Sequence, residues 1–274
     1  MLTRTTAKIE FNHEFQCALD WMEGTKRHLF ITGRAGTGKS TLLNYFRRNT
    51  GKRVAILAPT GVAAVNVGGQ TIHSFCGFKP DVTLQAIRRK RKKSDQSIYQ
   101  KFDTIVIDEV SMVRADLLDC VDRFLRLNGP DEHEPFGGIQ MVFIGDLYQL
   151  PPVLAGKEKD VFRLCYRTPY FFSAAVFGEL DLTFVELEKV YRQHDEEFIR
   201  LLNAIRNRSV TDEDLRFLNS RVDPGFTSSP DDFYICMTST NDLADRINEE
   251  HLEKLPGKLR RVQGYTEGNF GREY

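Results

Sequence analysis

Apolar positions along the chain fall into short unbroken runs, separated by stretches with helical spacing. From about Glu14 to Met22 apolar residues recur with the period of a helix. His28 to Thr32 (HLFIT) then reads as a buried strand, followed by a glycine-rich turn and a helix over Thr41 to Arg48. Val54 to Ala58 (VAILA), Ile105 to Ile107 and Met141 to Ile144 (MVFI) are further apolar runs of strand length. None of them alternates with polar residues. Strands buried on both faces have that pattern, and such strands belong to parallel sheets covered by helices. Strands separated by helical segments imply βαβ units. The first part of the chain is therefore predicted to be a doubly wound α/β domain.

Two features break the rhythm. The stretch 80–101 contains Arg88, Arg89, Lys90, Arg91, Lys92 and Lys93 in succession and reads as an insertion on the domain surface. Such a run is a footprint for a polyanion or a solvated loop. After Phe184 the pattern changes. Helical segments over Glu196 to Arg206 and Asp212 to Asn219 precede a short strand, Phe233 to Met237, and a helix from Asn241 to Leu255. This reads as the opening of a second α/β domain that stops early. The expected division is 1–181 and 182–274.

Composition narrows the class. Of the 274 residues 41% are hydrophobic, enough for a real core, and 38 Lys+Arg balance 38 Asp+Glu, so global charge points to no polyanionic partner. Cys17, Cys76, Cys120, Cys165 and Cys236 are scattered, without a C-x-x-C pair, which fits neither a disulfide framework nor a zinc site. A reducing, intracellular setting is expected: cytoplasmic, and nucleoid-associated in a bacterium. No apolar run approaches the length of a membrane span, and the N-terminus lacks an apolar signal core, so no membrane partner is expected.

Gly33 to Ser40 (GRAGTGKS) matches G-x-x-x-x-G-K-[ST], directly after an apolar strand and opening a helix. That placement suits a phosphate cradle. Glycines let backbone N–H groups face inward, and the helix N-terminus adds partial positive charge. Lys39 is expected to reach the β- and γ-phosphates of ATP, and the Ser40 hydroxyl to ligate Mg²⁺. The nucleotide-contacting set is Gly33, Ala35, Gly36, Thr37, Gly38, Lys39, Ser40 and Thr41. The bland alternative is a glycine-rich turn capping an ordinary helix. In Thr104 to Glu109 (TIVIDE) an apolar strand ends in two adjacent carboxylates. Asp108 suits the magnesium shell and Glu109 the attacking water. Solvated acids capping the next helix are the alternative there. Past a fourth strand, Gly145 to Val153 (GDLYQLPPV) places Gln149 where a neutral amide can sense the γ-phosphate or water, although Q-L-P-P also fits a plain turn.

A second constellation follows the second strand. Pro59 to Ala64 (PTGVAA) offers Thr60 and the Gly61 backbone to a nucleic-acid phosphate, and Thr71 to Phe75 (TIHSF) offers His73 and Phe75 for stacking on unpaired bases. A capped helix with a core Phe and a structural His fits the same residues.

Taken in order, these segments resemble the PIF-type (petite integration frequency) DNA helicases of superfamily 1, related to the RecD branch. FITGRAGTGKSTLL resembles motif I, LAPTGVAAVNVGGQTIHSF motifs Ia and Ib, VIDEVSMV motif II, GDLYQLPPV motif III and LEKVYRQHDEEF motif IV. The segment Asp116 to Gln140, ending PFGGIQ, resembles the family's signature segment, and TSTNDLADRIN a later one. The resemblance implies two RecA-like domains, ATP-driven 5′-to-3′ movement on single-stranded DNA, and single-strand/duplex junctions as partners of a monomer. It assigns Lys39, Asp108, Glu109 and Gln149 to catalysis and adds Arg192, which spacing alone would make a surface helix cap. It assigns Thr60, Gly61, His73 and Phe75 to the DNA strand, with Arg88, Arg89 and Lys90 in a wedge-like insertion. Adenine readout falls on Gln16, or on Phe15 in another alignment. The chain is expected to stop before motifs V and VI and to lack the barrel inserted into the second domain. The competing reading is therefore a nucleotide- and single-strand-binding module without unwinding activity. A small-molecule P-loop kinase conflicts with DEVSMV and the PTG and TIHSF segments.

Overall fold

The computed structural model describes residues 11–90, 98–154, 158–191, 195–226, 234–260 and 262–265. Six strands build one sheet: β1 His28–Gly33, β2 Val54–Ala58, β3 Gln70–Thr71, β4 Thr104–Ile107, β5 Gln140–Ile144 and β6 Leu182–Leu187. Their spatial order is β3-β2-β4-β5-β1-β6, and every pairing is parallel. The α/β class and parallel sheet expected from the apolar runs are therefore present. Alternate residues of each strand serve opposite faces. Ile105, Ile107, Met141 and Phe143 enter one core cluster, whereas Val106, Val142 and Ile144 enter the other.

Helices cover both faces. α1 (His13–Gly24) starts where the Asn12 side chain accepts the Phe15 N–H at 2.9 Å. It buries Phe15, Ala18, Leu19 and Met22 in the same cluster as Leu42, Leu43 and Phe46 of α2 (Lys39–Asn49). The opposite face is covered by α5 (Ala115–Asn128), introduced after two short helices, α3 (Gly61–Asn66) and α4 (Ile72–Cys76). Two acids on α5 are buried because each satisfies backbone donors. Asp119 accepts from the Ala175 and Val176 N–H groups at 3.0 and 3.1 Å, and Asp122 accepts from the Phe136 N–H at 2.7 Å. Phe136 and Gly137 turn through left-handed conformations, with Gly137 so close that a Cβ there would lie 2.4 Å from the Leu125 carbonyl oxygen. The signature-like segment from Asp116 to Gln140 thus serves as a clamp that delivers β5 into the sheet.

Polar groups fasten the amino-terminal end of the strands. Gln140 Oε1 accepts from Thr104 Oγ1 at 2.7 Å and from Lys52 Nζ at 2.9 Å, and Arg53 pairs with Asp103 at 2.9 Å. Because the sheet is parallel, all carboxyl ends open on the other side, where an α/β sheet of this kind binds ligands.

The chain divides between Val210 and Thr211, later than the expected 181/182 boundary. The reason is β6, which pairs with β1 from His28↔Leu182 to Gly33↔Leu187. The first unit also contains α6 (Glu158–Cys165) and α7 (Glu196–Arg206). The second unit holds α8 (Asp212–Asn219), started by a Thr211–Asp214 capping box, and α9 (Asn241–Lys254). The strand expected over Phe233 to Met237 is not formed. Phe233 lies outside the described residues, and Tyr234 to Met237 are exposed and unpaired in any ladder. A strand needs a neighbour for its N–H and C=O groups, and the described residues of this unit contain no other strand.

Candidate functional site

The loop after β1 takes its shape from three glycines with positive φ: Gly33 at 150°, Gly36 at 82° and Gly38 at 92°. A Cβ on Gly33 would lie 2.5 Å from the Leu187 carbonyl oxygen and 2.6 Å from Thr37 Oγ1, so no larger residue fits. Gly38 caps α2, which begins at Lys39, two residues before the expected start, so Lys39 and Ser40 occupy its first turn. Thr37 is buried and its hydroxyl donates to the Arg34 carbonyl at 2.9 Å. Ala35 and Thr41 are exposed on the loop and first turn. Lys39 Nζ donates to the Gly33 and Arg34 carbonyls at 2.6 and 3.0 Å. Burial lowers its pKa, opposed by the nearby charges of Asp146, Glu109 and Asp108.

Asp108 and Glu109 follow β4. Asp108 is 7% exposed, and its N–H donates to the Leu57 carbonyl at 2.9 Å. Burial first, and the Glu109 charge second, push its carboxyl up to about 6. A group held in this way gains from a cation beside it. Glu109 has φ 51° and ψ 41°, the left-handed region that a non-glycine residue enters at a cost of roughly 1–2 kcal/mol. Strain of this kind persists only where the surrounding structure holds it in place. Gly145 at the end of β5 leaves room for that turn, since a Cβ there would meet the Val110 and Ser111 backbone nitrogens at 3.1 and 3.2 Å.

Asp146 follows and is 1% exposed. No local spacing in the sequence joins it to Arg206, its partner. Arg206 Nη1 donates to both Asp146 oxygens at 2.7 Å, and Gln149 Nε2 donates to Asp146 Oδ2 at 3.1 Å. Burial alone would raise the Asp146 carboxyl, but Arg206, the Tyr148 N–H and Gln149 together bring it below the usual range. Arg34, Ala35, Gln149, Asn203 and Arg206 line a cavity of about 780 Å³ beside the loop. The segment after β6 also reaches the loop, because the Tyr191 N–H donates to the Gly36 carbonyl at 2.8 Å. Arg192, the next residue, lies outside the described residues. Gln16 is exposed on α1 and donates to Asp20 at 2.7 Å, whereas Phe15 is in the core.

At the carboxyl end of β2, Thr60 caps α3 by accepting the Ala63 N–H at 3.2 Å, and Gly61 is exposed with open space where a Cβ would stand. His73 is half-buried on α4, and burial lowers its pKa. Phe75 corrects the expectation of a stacking residue. It is 6% exposed and makes ring contacts with Tyr99 at 5.3 Å and Phe102 at 5.6 Å, because α4 packs its apolar side toward α5. Of the basic run, Arg88 and Arg89 are exposed, Arg89 pairs with Glu132 at 2.7 Å, and Lys90 Nζ lies 5.5 Å from the Phe124 ring centre. Arg91, Lys92 and Lys93 lie outside the described residues.

The model of the PIF1-like helicase family matches residues 13–216. The ATP-dependent DNA helicase PIF1 of Saccharomyces cerevisiae (strain YJM789) is 38% identical over 249 residues, which are 85% of this chain and 27% of that protein. Human ATP-dependent DNA helicase PIF1 is 34% identical over 243 residues, 86% of this chain and 36% of that one. This chain thus spans about a quarter to a third of the length of these curated relatives. A crystal structure of a Bacteroides Pif1 helicase in complex with ADP-AlF3 and ssDNA aligns with TM-score 0.83 at 36% identity, covering 92% of this chain and 59% of that one. Pif1 helicase from Candida albicans aligns with TM-score 0.75 at 31% identity, covering 92% and 56%.

Proposed function

Because the chain belongs to the PIF1-like helicase family, we propose that its first unit is the ATP-hydrolysing part of a 5′-to-3′ DNA helicase motor. The observation that carries this reading is the convergence of the Gly33–Ser40 cradle, the buried Asp108 and the strained Glu109 at one end of a parallel sheet. Lys39 exchanges its two loop carbonyls for the β- and γ-phosphates of ATP, a charge-assisted contact. Ser40 and Asp108 would hold Mg²⁺ beside the phosphates. When bound, the ion neutralises charge on the phosphates. Glu109 orients the attacking water and takes its proton, and Gln149 accepts a hydrogen bond from that water. Arg192, which lies outside the described residues, is proposed to reach the γ-phosphate. Gln16 is the proposed adenine contact.

Single-stranded DNA is the proposed partner, running past Thr60, Gly61 and His73, with Arg88, Arg89 and Lys90 toward a single-strand/duplex junction. Residues 211–274 are proposed to contribute part of the second RecA-like domain. The test is the ATPase rate with and without single-stranded DNA. Stimulation by the strand is expected, and hydrolysis indifferent to it removes the motor reading.

A further inference from the structure

The last residue of α7 is joined to the phosphate loop's surroundings by a contact spanning 60 residues. Arg206 Nη1 lies 2.7 Å from both Asp146 oxygens, and the two side chains are only 15% and 2% exposed. The guanidinium also lies 4.1 Å from the Tyr148 ring centre, which fixes its plane. Asp146 accepts two more donors, the Tyr148 N–H and Gln149 Nε2, both at 3.1 Å. It stands at the end of β5, and β5 lies between β4, which leads to Asp108, and β1, which leads to the loop.

A buried carboxylate in that place is a competitor for Lys39. Because β5 neighbours β1, the strand end that carries Asp146 adjoins the loop that carries Lys39. Two consequences follow from its being paired elsewhere. Its charge is compensated, so Lys39 is not drawn away from phosphate. It also remains ionised, and an ionised carboxylate can only accept. Gln149 must therefore turn its NH₂ toward Asp146 and leave Oε1 outward, as an acceptor for a water O–H.

We propose that Arg206 is a positioning residue for nucleotide hydrolysis: it holds Asp146 away from Lys39 and thereby sets the direction of the Gln149 amide. This rests on the ATPase reading. The test uses the 274-residue chain, a fluorescent Mg·mant-ATP probe for binding and steady-state ATPase for turnover. Arg206→Met is expected to weaken Mg·mant-ATP binding by at least about tenfold, the scale of one lost charge-assisted phosphate contact. Adding Asp146→Asn to it removes the competing charge and restores binding, which loss of a mere helix anchor would not allow. Arg206→Lys keeps a cation and is expected to bind within a few-fold of the original chain. Asp146→Asn alone, which leaves no lone acid, is expected to lower kcat with KM unmoved. That variant keeps the inference testable if Arg206→Met does not fold, and an unchanged kcat overturns it. Unchanged binding in Arg206→Met, or a double variant as weak as the single one, overturns it too. Lys39→Ala separates the two readings. If it binds as the original chain does, the ATPase reading fails. If it loses binding while Arg206→Met does not, only the role of Arg206 fails.

Discussion

Single residues decide the chemistry proposed for the loop. Lys39→Ala removes an ammonium that now donates to two carbonyls and would donate to phosphates. Loss of a charged hydrogen bond of about 1.5–3 kcal/mol predicts a tenfold to hundredfold weaker Mg·ATP affinity, read by mant-nucleotide titration. Glu109 carries two separable properties, a carboxylate and a left-handed backbone. Glu109→Gln keeps nucleotide binding and lowers turnover by about 10²–10⁴, the range of a lost general base. Glu109→Gly loses turnover too, but it relieves the backbone and is expected to melt roughly 2 °C above Glu109→Gln. Equal melting temperatures would show that the turn carries no strain. Lys39 and the two carboxylates were legible in the sequence because each lies in a contiguous motif at a strand end. Asp146 also lies in such a segment, GDLYQLPPV, but its tie to Arg206 was not legible. Their pairing joins residues 60 apart, and no local spacing signals it.

Elements explain which expectations failed. The buried strands β1, β2, β4 and β5 announced themselves as continuous apolar runs, since both faces are covered. The edge strand β6 escaped, because its Phe184 and Glu186 are exposed and only Val185 and Leu187 are buried. A short helix poses the opposite difficulty. In TIHSF the spacing of α4 cannot tell a stacking aromatic from a core one, and only the contacts of Phe75 with Tyr99 and Phe102 settle it. Phe75→Ala is accordingly expected to cost about 3–5 kcal/mol of stability, the usual cost of deleting a buried ring. A chemical-denaturation curve checks this. A variant of normal stability that binds DNA weakly would return Phe75 to the strand-contacting set.

For the whole molecule, zero net charge means that any attraction to a DNA backbone must come from local patches. The described part of the basic run is partly compensated already. Arg89 shares its charge with Glu132, both about half exposed, and the Arg88 guanidinium donates to the Gln85 and Ile87 carbonyls. An exposed pair of this kind is weak and competes poorly with a phosphate. If the run meets a single strand, each released contact contributes a slope of about 0.7 in log affinity against log salt. Replacing Arg88, Arg89 and Lys90 with Ser should then flatten the slope by up to about 2. Glu132→Gln frees Arg89 and should tighten single-strand binding at low salt, and it should do so only while Arg89 is present. Fluorescence anisotropy of a labelled oligonucleotide across a salt series reads both effects. Identical slopes in all variants would leave the run as a solvated loop, and the strand path would have to be sought nearer Thr60 and His73.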